Sequence, residues 1–343
     1  MIYIFGNDQQ VKEIAKRLKD SSSILTYDLK KQHIIDGKEF NITEAIIIVA
    51  DKEQVLLFEK NQILRTNIIE YYLFKDLSCE GLLPDNVGED VDTLIFGMSH
   101  SQCGIETING NILKLSKPSM DLFLQNNIVN LLYSRTSHRQ IKRVFLELPY
   151  YIFNYDLSMF KPFVFTKFNY FVEVGKFHHL ADKDDLDVYI RQYELFTNMF
   201  HRIETPNVRK INILFKAFKY FKYKAKVTYD VITNNDAVWN RLFIQAFSEN
   251  KKYFLDFISQ VKSFYPDAEI SIIVMPFNPL FRLTHYKRIQ RMRNIFYDIV
   301  SLANVKVMDD FALYNNLFLF DDHCHLSKRG AKKYTKYFLN KDK

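Results

Sequence analysis

Glycine and proline are scarce in this chain, at 9 and 8 residues in 343. That leaves little room for long flexible or proline-stiffened linkers. Cysteine is scarcer still, with Cys79, Cys103 and Cys324 making up the whole set. An odd, widely spaced trio is no disulfide framework and suits a reducing compartment. No stretch approaches the roughly 20 apolar residues that span a bilayer. The opening "MIYIFGNDQQVKE" has no basic n-region, and its apolar run is too short for a signal peptide. These absences predict a cytoplasmic protein, one still able to sit at a membrane surface. Charge of one sign is limited too. A net charge of +7, from 47 basic and 40 acidic residues, permits an anionic partner without demanding one. Nucleic acid is not expected as a partner.

What the chain does have is apolar and aromatic bulk. Hydrophobic residues make up 48%, with 31 Phe and 21 Tyr, so a sizeable core can form. The length is too great for one small domain and fits one large α/β domain with an appendage.

The pattern begins as "IYIFG", a buried strand stopped by glycine, followed by "DQQVKEIAKRLKD" with Val11, Ile14, Ala15 and Leu18 at helical spacing. "SILTYDL" and the continuously apolar "EAIIIVA" read as strands of a covered parallel sheet, and "KEQVLLFEKNQIL" as a helix. The order predicts a small Rossmann-like unit over residues 1–88. It has no G-x-G-x-x-G, so no dinucleotide site is assigned. "CEGLLPDNVGEDVD" is the best linker. After it the pattern restarts with "DTLIFG", "NILKLS", the helix "MDLFLQNNIVNLLYSR", and the strands "IKRVFLELP" and "EISIIVMP". Strands alternating with helices predict a mostly parallel sheet with functional loops at the strand C-termini. This second domain is expected over 89–343, with a mainly helical insertion at about 155–247.

Two stretches carry chemistry. In "LIFGMSHSQCGI" an apolar strand runs into Gly97, then Met98 and Ser99. If "SQCGIETI" opens a helix, the Ser99 N–H can point at a developing oxyanion; alternatively Ser99 is a helix N-cap. In "FDDHCHLSKRG", Asp322 and His325 have the spacing D-x-x-H. The aspartate can fold back onto the histidine Nδ1–H, leaving Nε2 to deprotonate a serine hydroxyl. A zinc reading of the same loop would use His323, Cys324 and His325, with His178 or His179 lent from "KFHHLADKDD". Adjacent ligands rarely converge on one ion, so no metal is expected.

Taken together, a strand–G-x-S turn opening an α/β domain and a D-x-x-H-L-S-x-x-G block before its last helix resemble the SGNH (GDSL-type) serine hydrolase superfamily. "FGMS" stands at the G-D-S block and "DDHCHLSKRG" at the D-x-x-H block. The subgroup resembled modifies acyl groups on bacterial cell-surface polymers. The resemblance implies a three-layer α/β/α, flavodoxin-like domain with Ser99 as nucleophile, His325 as base and Asp322 as orienting acid. It implies an esterase or acyltransferase acting on O-acyl groups, acetyl above all, of a carbohydrate or glycolipid in surface-polysaccharide biosynthesis. No cofactor is required, although a transferase would need an acyl donor such as acetyl-CoA. The family's glycine and asparagine blocks are missing. "LSKPSMD" and "FLELPYYIFNYD" stand in their places, so the oxyanion donors are expected at Ser99, Ser119 and Asn154. The rival reading is a non-catalytic glycan- or lipid-binding assembly protein on the same scaffold.

The last feature is "RKINILFKAFKYFKYKAK", Arg209 to Lys226. As a helix it has one apolar stripe with lysines elsewhere, a pattern shared by core-packed helices and by helices lying on anionic lipid. On the second view Lys216, Lys219 and Lys222 contact an anionic membrane surface. The sequence does not fix the oligomeric state.

Overall fold

The computed structural model describes residues 2–19, 24–27, 46–52, 55, 67–78, 80–84, 87–107, 110–136, 140–160, 164–180, 183–201, 225, 229 and 242–341. In chain order the first elements are β1 (Ile2–Phe5), α1 (Asp8–Arg17), β2 (Ile24–Tyr27), β3 (Ile46–Val49), β4 (Ile68–Glu70) and α2 (Tyr71–Phe74). Then come β5 (Thr93–Phe96), α3 (Ser99–Gly104), β6 (Ile112–Lys114), α4 (Leu122–Thr136) and β7 (Arg143–Glu147). Helices α5 (Phe168–Val174), α6 (Lys183–Met199) and α7 (Phe247–Phe264) lead to β8 (Glu269–Val274), α8 (Pro279–Thr284), α9 (Tyr286–Val300), β9 (Lys306–Asp309) and α10 (Lys328–Lys341). No helix among the described residues is long and apolar enough to cross a membrane.

The chain forms two compact units. The first comprises Met1–Gly81 and Lys161–Asn207. Its four strands pair in parallel in the order β2-β1-β3-β4. Helix α1 starts where a sequence rule would start it. The Asn7 side chain accepts from the Gln9 and Gln10 N–H groups, and Gln10 reaches back to the Asn7 N–H, completing a capping box. The boundary and insertion expected from the sequence are drawn differently here. Part of the expected insertion belongs to this first unit, and the reason is packing. Phe196 and Phe200, at the end of α6, share one core with Ile4, Ile14, Ile48, Ile69, Phe74 and Phe168. Tyr71 lies 5.4 Å from the Phe200 ring. The four-stranded sheet therefore gains its cover from a segment about a hundred residues downstream.

The second unit comprises Leu82–Phe160 and Val208–Lys343. Its five parallel strands have the order β6-β5-β7-β8-β9. Counted within the unit this is 2-1-3-4-5, the flavodoxin-like doubly wound arrangement. The strands are apolar on both faces because both are covered. On one face Ile95, Phe145, Ile273 and Met308 pack with Tyr334 and Phe338 of α10. On the other, Phe96 meets Phe257 of α7 edge to face at 5.1 Å. The sheet reverses direction between β5 and β7. The loops leaving these two strands consequently part there, and a crevice opens at their C-terminal ends.

The Arg209–Lys226 stretch carrying Lys216, Lys219 and Lys222 lies outside the described residues, apart from Ala225.

Candidate active site

A cavity of about 220 Å³ lies at that crevice, lined by Met98, Ser99, His100, Ser119, Tyr151, Tyr155 and the loop Asp322–His325. Ser99 reaches it because β5 ends at Gly97, whose φ of 154° suits glycine. A Cβ on Gly97 would run into Ser101 Oγ and come within 2.7 Å of Glu147 Cβ and 2.8 Å of its Oε2. The turn can therefore close only over a bare backbone. Helix α3 begins at Ser99. A first-turn N–H has no partner within its own helix, so the Ser99 N–H is directed away from α3.

The second part of the site is shaped by Asp322. Its Oδ1 accepts from the N–H groups of Cys324 (2.8 Å) and His325 (2.7 Å). This bends the loop back on itself. The bend is closed by the Phe320–Leu326 bridge and by Asp321 N–H donating to the His325 carbonyl at 2.9 Å. The other oxygen, Oδ2, then sits 2.6 Å from His325 Nδ1. Helix α8 holds the loop from behind. The Asn278 N–H donates to the His323 carbonyl (3.1 Å), and its side-chain amide donates to that of Asp322 (3.2 Å).

His325 Nε2 lies 2.7 Å from Ser99 Oγ. With Nδ1–H donating to the carboxylate, Nε2 carries the lone pair and accepts from the serine hydroxyl. The structure thus joins Ser99, His325 and Asp322 in one hydrogen-bonded chain across 226 residues of sequence. Burial alone would raise the Asp322 carboxyl. The hydrogen bond and charge of His325, the charge of His323 and the Cys324 N–H outweigh it and hold the group well below its ordinary value.

The other expected residues are placed as follows. Ser119 lines the cavity with a left-handed backbone, φ 63°, and its carbonyl accepts from Tyr155 OH at 3.2 Å. The expectation for Asn154 is not met, for it is not among the lining residues. The short helix Ile152–Asn154 turns the chain there, with Asn154 N–H donating to the Tyr151 carbonyl at 3.0 Å and its own carbonyl accepting from Phe243 N–H at 2.6 Å. Ser101 is fully buried, 2.8 Å from Ser116 Oγ. His178 and His179 belong to the first unit. Ligand atoms of His100, Cys324 and His325, and of Asp322, His323 and Cys324, do approach within 4.8 Å of one another. An ion at the first group would compete with Ser99 or Asp322 for a His325 nitrogen.

Sequence reasoning missed a carboxylate beneath the serine turn. Glu147, the last residue of β7, is completely buried. It accepts from Met98 N–H at 2.7 Å, from His100 Nδ1 at 3.0 Å and, at 3.1 Å, from Ser101 Oγ. A lone acid inside the apolar "VFLELP" was the available signal, since a buried charge needs dedicated partners. His100 in turn stacks on His325, with centroids 5.4 Å apart and planes at 26°.

No family model matches the chain, and no curated protein does. Among solved structures the chain is similar to one described as a platelet activating factor from Streptococcus pneumonia. That match has a TM-score of 0.37 and 12% identity and covers 85% of this chain and 99% of the other. It is also similar to a GDSL-like lipase from Parabacteroides merdae ATCC 43184, with a TM-score of 0.34, 8% identity and coverage of 76% and 98%. Both scores lie below the level that carries an argument about fold or activity.

Proposed function

We propose that this protein is a serine-dependent esterase or acyltransferase for O-acyl groups. The observation that carries the reading is the chain Ser99 Oγ–His325 Nε2 (2.7 Å) and His325 Nδ1–Asp322 Oδ2 (2.6 Å) at the mouth-facing end of a doubly wound sheet. In the reaction Ser99 Oγ attacks the acyl carbon and its proton passes to His325 Nε2. Asp322 stabilises the resulting imidazolium. The tetrahedral oxyanion takes a hydrogen bond from the Ser99 N–H, with the backbone near Ser119 as a second donor. The C–O bond to the alcohol then breaks, and His325 returns the proton to the leaving alkoxide. Water or a second alcohol attacks the acyl-serine, gives its proton to His325 and leaves as acid or as new ester. The cavity, at about 220 Å³, is smaller than an ordinary drug-sized site of roughly 300–1,000 Å³, which favours a small acyl group such as acetyl.

The carbohydrate and surface-polysaccharide part of the reading rests on the motif resemblance, and Tyr151 and Tyr155 in the cavity wall suit contact with a sugar. We place the enzyme in the cytoplasm, where acetyl-CoA could serve as donor in a transfer. Labelling with a fluorophosphonate probe tests the reading. Wild type is expected to label stoichiometrically and Ser99→Ala not at all. A folded wild-type protein that resists the probe would instead support a non-catalytic glycan- or lipid-binding role.

A further inference from the structure

Beside the serine, the cavity wall holds a second acid–histidine pair. Glu147 receives donors on both oxygens, from Met98 N–H and Ser101 Oγ on one and His100 on the other. It acts only as an acceptor, so His100 Nδ1 must carry a proton. The ring is thereby fixed, with Nε2 as the atom turned toward the phenol of Tyr151. That contact, 3.3 Å from Tyr151 OH, is long for a bond from a hydroxyl donor, which prefers about 2.7–2.8 Å to oxygen and about 2.9 Å to nitrogen. Both residues line the cavity that contains Ser99. Both are almost fully buried, His100 at 2% and Tyr151 at 8% exposure.

A loose acceptor–donor pair on the wall of a reaction cavity has one simple complement. A group seated between the two must donate to His100 Nε2 and accept from Tyr151 O–H. An ammonium only donates, and a carboxylate only accepts. A hydroxyl does both through one atom. Resting on the esterase reading above, we infer that His100 and Tyr151 bind a free hydroxyl on the alcohol half of the ester, close to the acylated oxygen. The alcohol is then a polyol or sugar with a neighbouring hydroxyl, and Glu147 is the positioning residue that holds the His100 ring in place. A buried polar pair discriminates strongly in this way, because a substrate lacking the hydroxyl enters without satisfying either partner.

Two acetates separate this idea from its rivals. Phenyl acetate has no hydroxyl on its leaving group; a monoacetate of methyl glucoside has several. For Tyr151→Phe, the ratio of kcat/KM for the sugar ester to that for phenyl acetate should fall about tenfold, the worth of one lost hydrogen bond, mainly through KM. An unchanged ratio overturns the inference. If both rates fall together, Tyr151 serves the reacting carbonyl instead. A binding readout covers the case of slow turnover. Saturation-transfer NMR should detect the sugar monoacetate on Ser99→Ala protein and lose the signal on Ser99→Ala/Tyr151→Phe. A signal that survives the second substitution, or that is missing from Ser99→Ala, also overturns it. Fluorophosphonate labelling of the wild type reports separately on Ser99, so failure of the esterase reading is told apart from failure of the hydroxyl site.

Discussion

At the scale of single residues, the site depends on two carboxylates with different tasks. Asp322 lies at the surface end of the chain and faces a histidine base. Glu147 lies below the serine turn and ties Met98, His100 and Ser101 together. The first was legible in the sequence, because D-x-x-H encodes a local turn. The second was not, because its partners sit 46 to 49 residues away on another strand and helix, and no local pattern encodes that distance. The same holds for Asn154, since an asparagine after a strand gives no sign of whether the turn delivers it to the cavity. Asp322 makes a prediction about pH. Its carboxyl is held below its ordinary value of 3.8, so the unfolded chain binds the proton more readily than the folded one. The stability it contributes is therefore fully present above about pH 4 and is lost as pH falls toward the lower folded value. Melting temperatures of wild type and Asp322→Asn should differ most near neutrality, and the gap should narrow between pH 4 and pH 3. A gap constant across that range would mean that Asp322 is not held as described.

At the scale of elements, the catalytic loop is a strap between a short helical turn and α10. Ser327 N–H donates to the Leu319 carbonyl (2.8 Å), Ser327 Oγ reaches the Phe318 carbonyl (3.2 Å), and Leu326 is buried in the core beneath. Gly330 makes this closure possible. A Cβ there would strike the Leu319 carbonyl oxygen and lie 3.1 Å from Leu326 Cδ2. No rotamer change relieves a clash with backbone. Gly330→Ala should cost about 1–3 kcal/mol, the usual range for overpacking, and should slow fluorophosphonate labelling of Ser99 as the strap shifts. Normal stability together with normal labelling would show that the loop is not braced this way. The glycine was visible in the sequence as part of a motif. Its physical reason appears only with Leu319 beside it. Strands β4 and β9 escaped the sequence reading for a related cause. Ile68–Glu70 and Lys306–Asp309 have three and four residues, too few to show a period, and they exist because a neighbouring strand offers them a ladder.

At the scale of the whole molecule, the sequence conveys the class of fold better than its partition. Apolar runs ending in glycine mark parallel strands, and their alternation with helices marks two doubly wound sheets. Nothing in "DKDDLDVYIRQYELFTNMF" states which sheet its apolar face will cover, because an amphipathic helix specifies that it must pack and leaves open against what. In the structure that face lies in the core of the first unit, with Phe196 and Phe200 buried among Ile4, Ile14 and Phe74. The partition makes a prediction that differs from a simple cut at the acidic linker. A chain of residues 82–343 would retain 161–207 without the sheet that α6 covers, leaving a large apolar face exposed. It should aggregate or bind a hydrophobic dye. A chain in which 82–160 is joined directly to 208–343 by a short flexible linker keeps the second unit whole. It should be monodisperse and should label at Ser99. If 82–343 proves well behaved while the joined chain does not, residues 161–207 belong to the hydrolase-like unit as an insertion, and the division of the molecule drawn here is wrong.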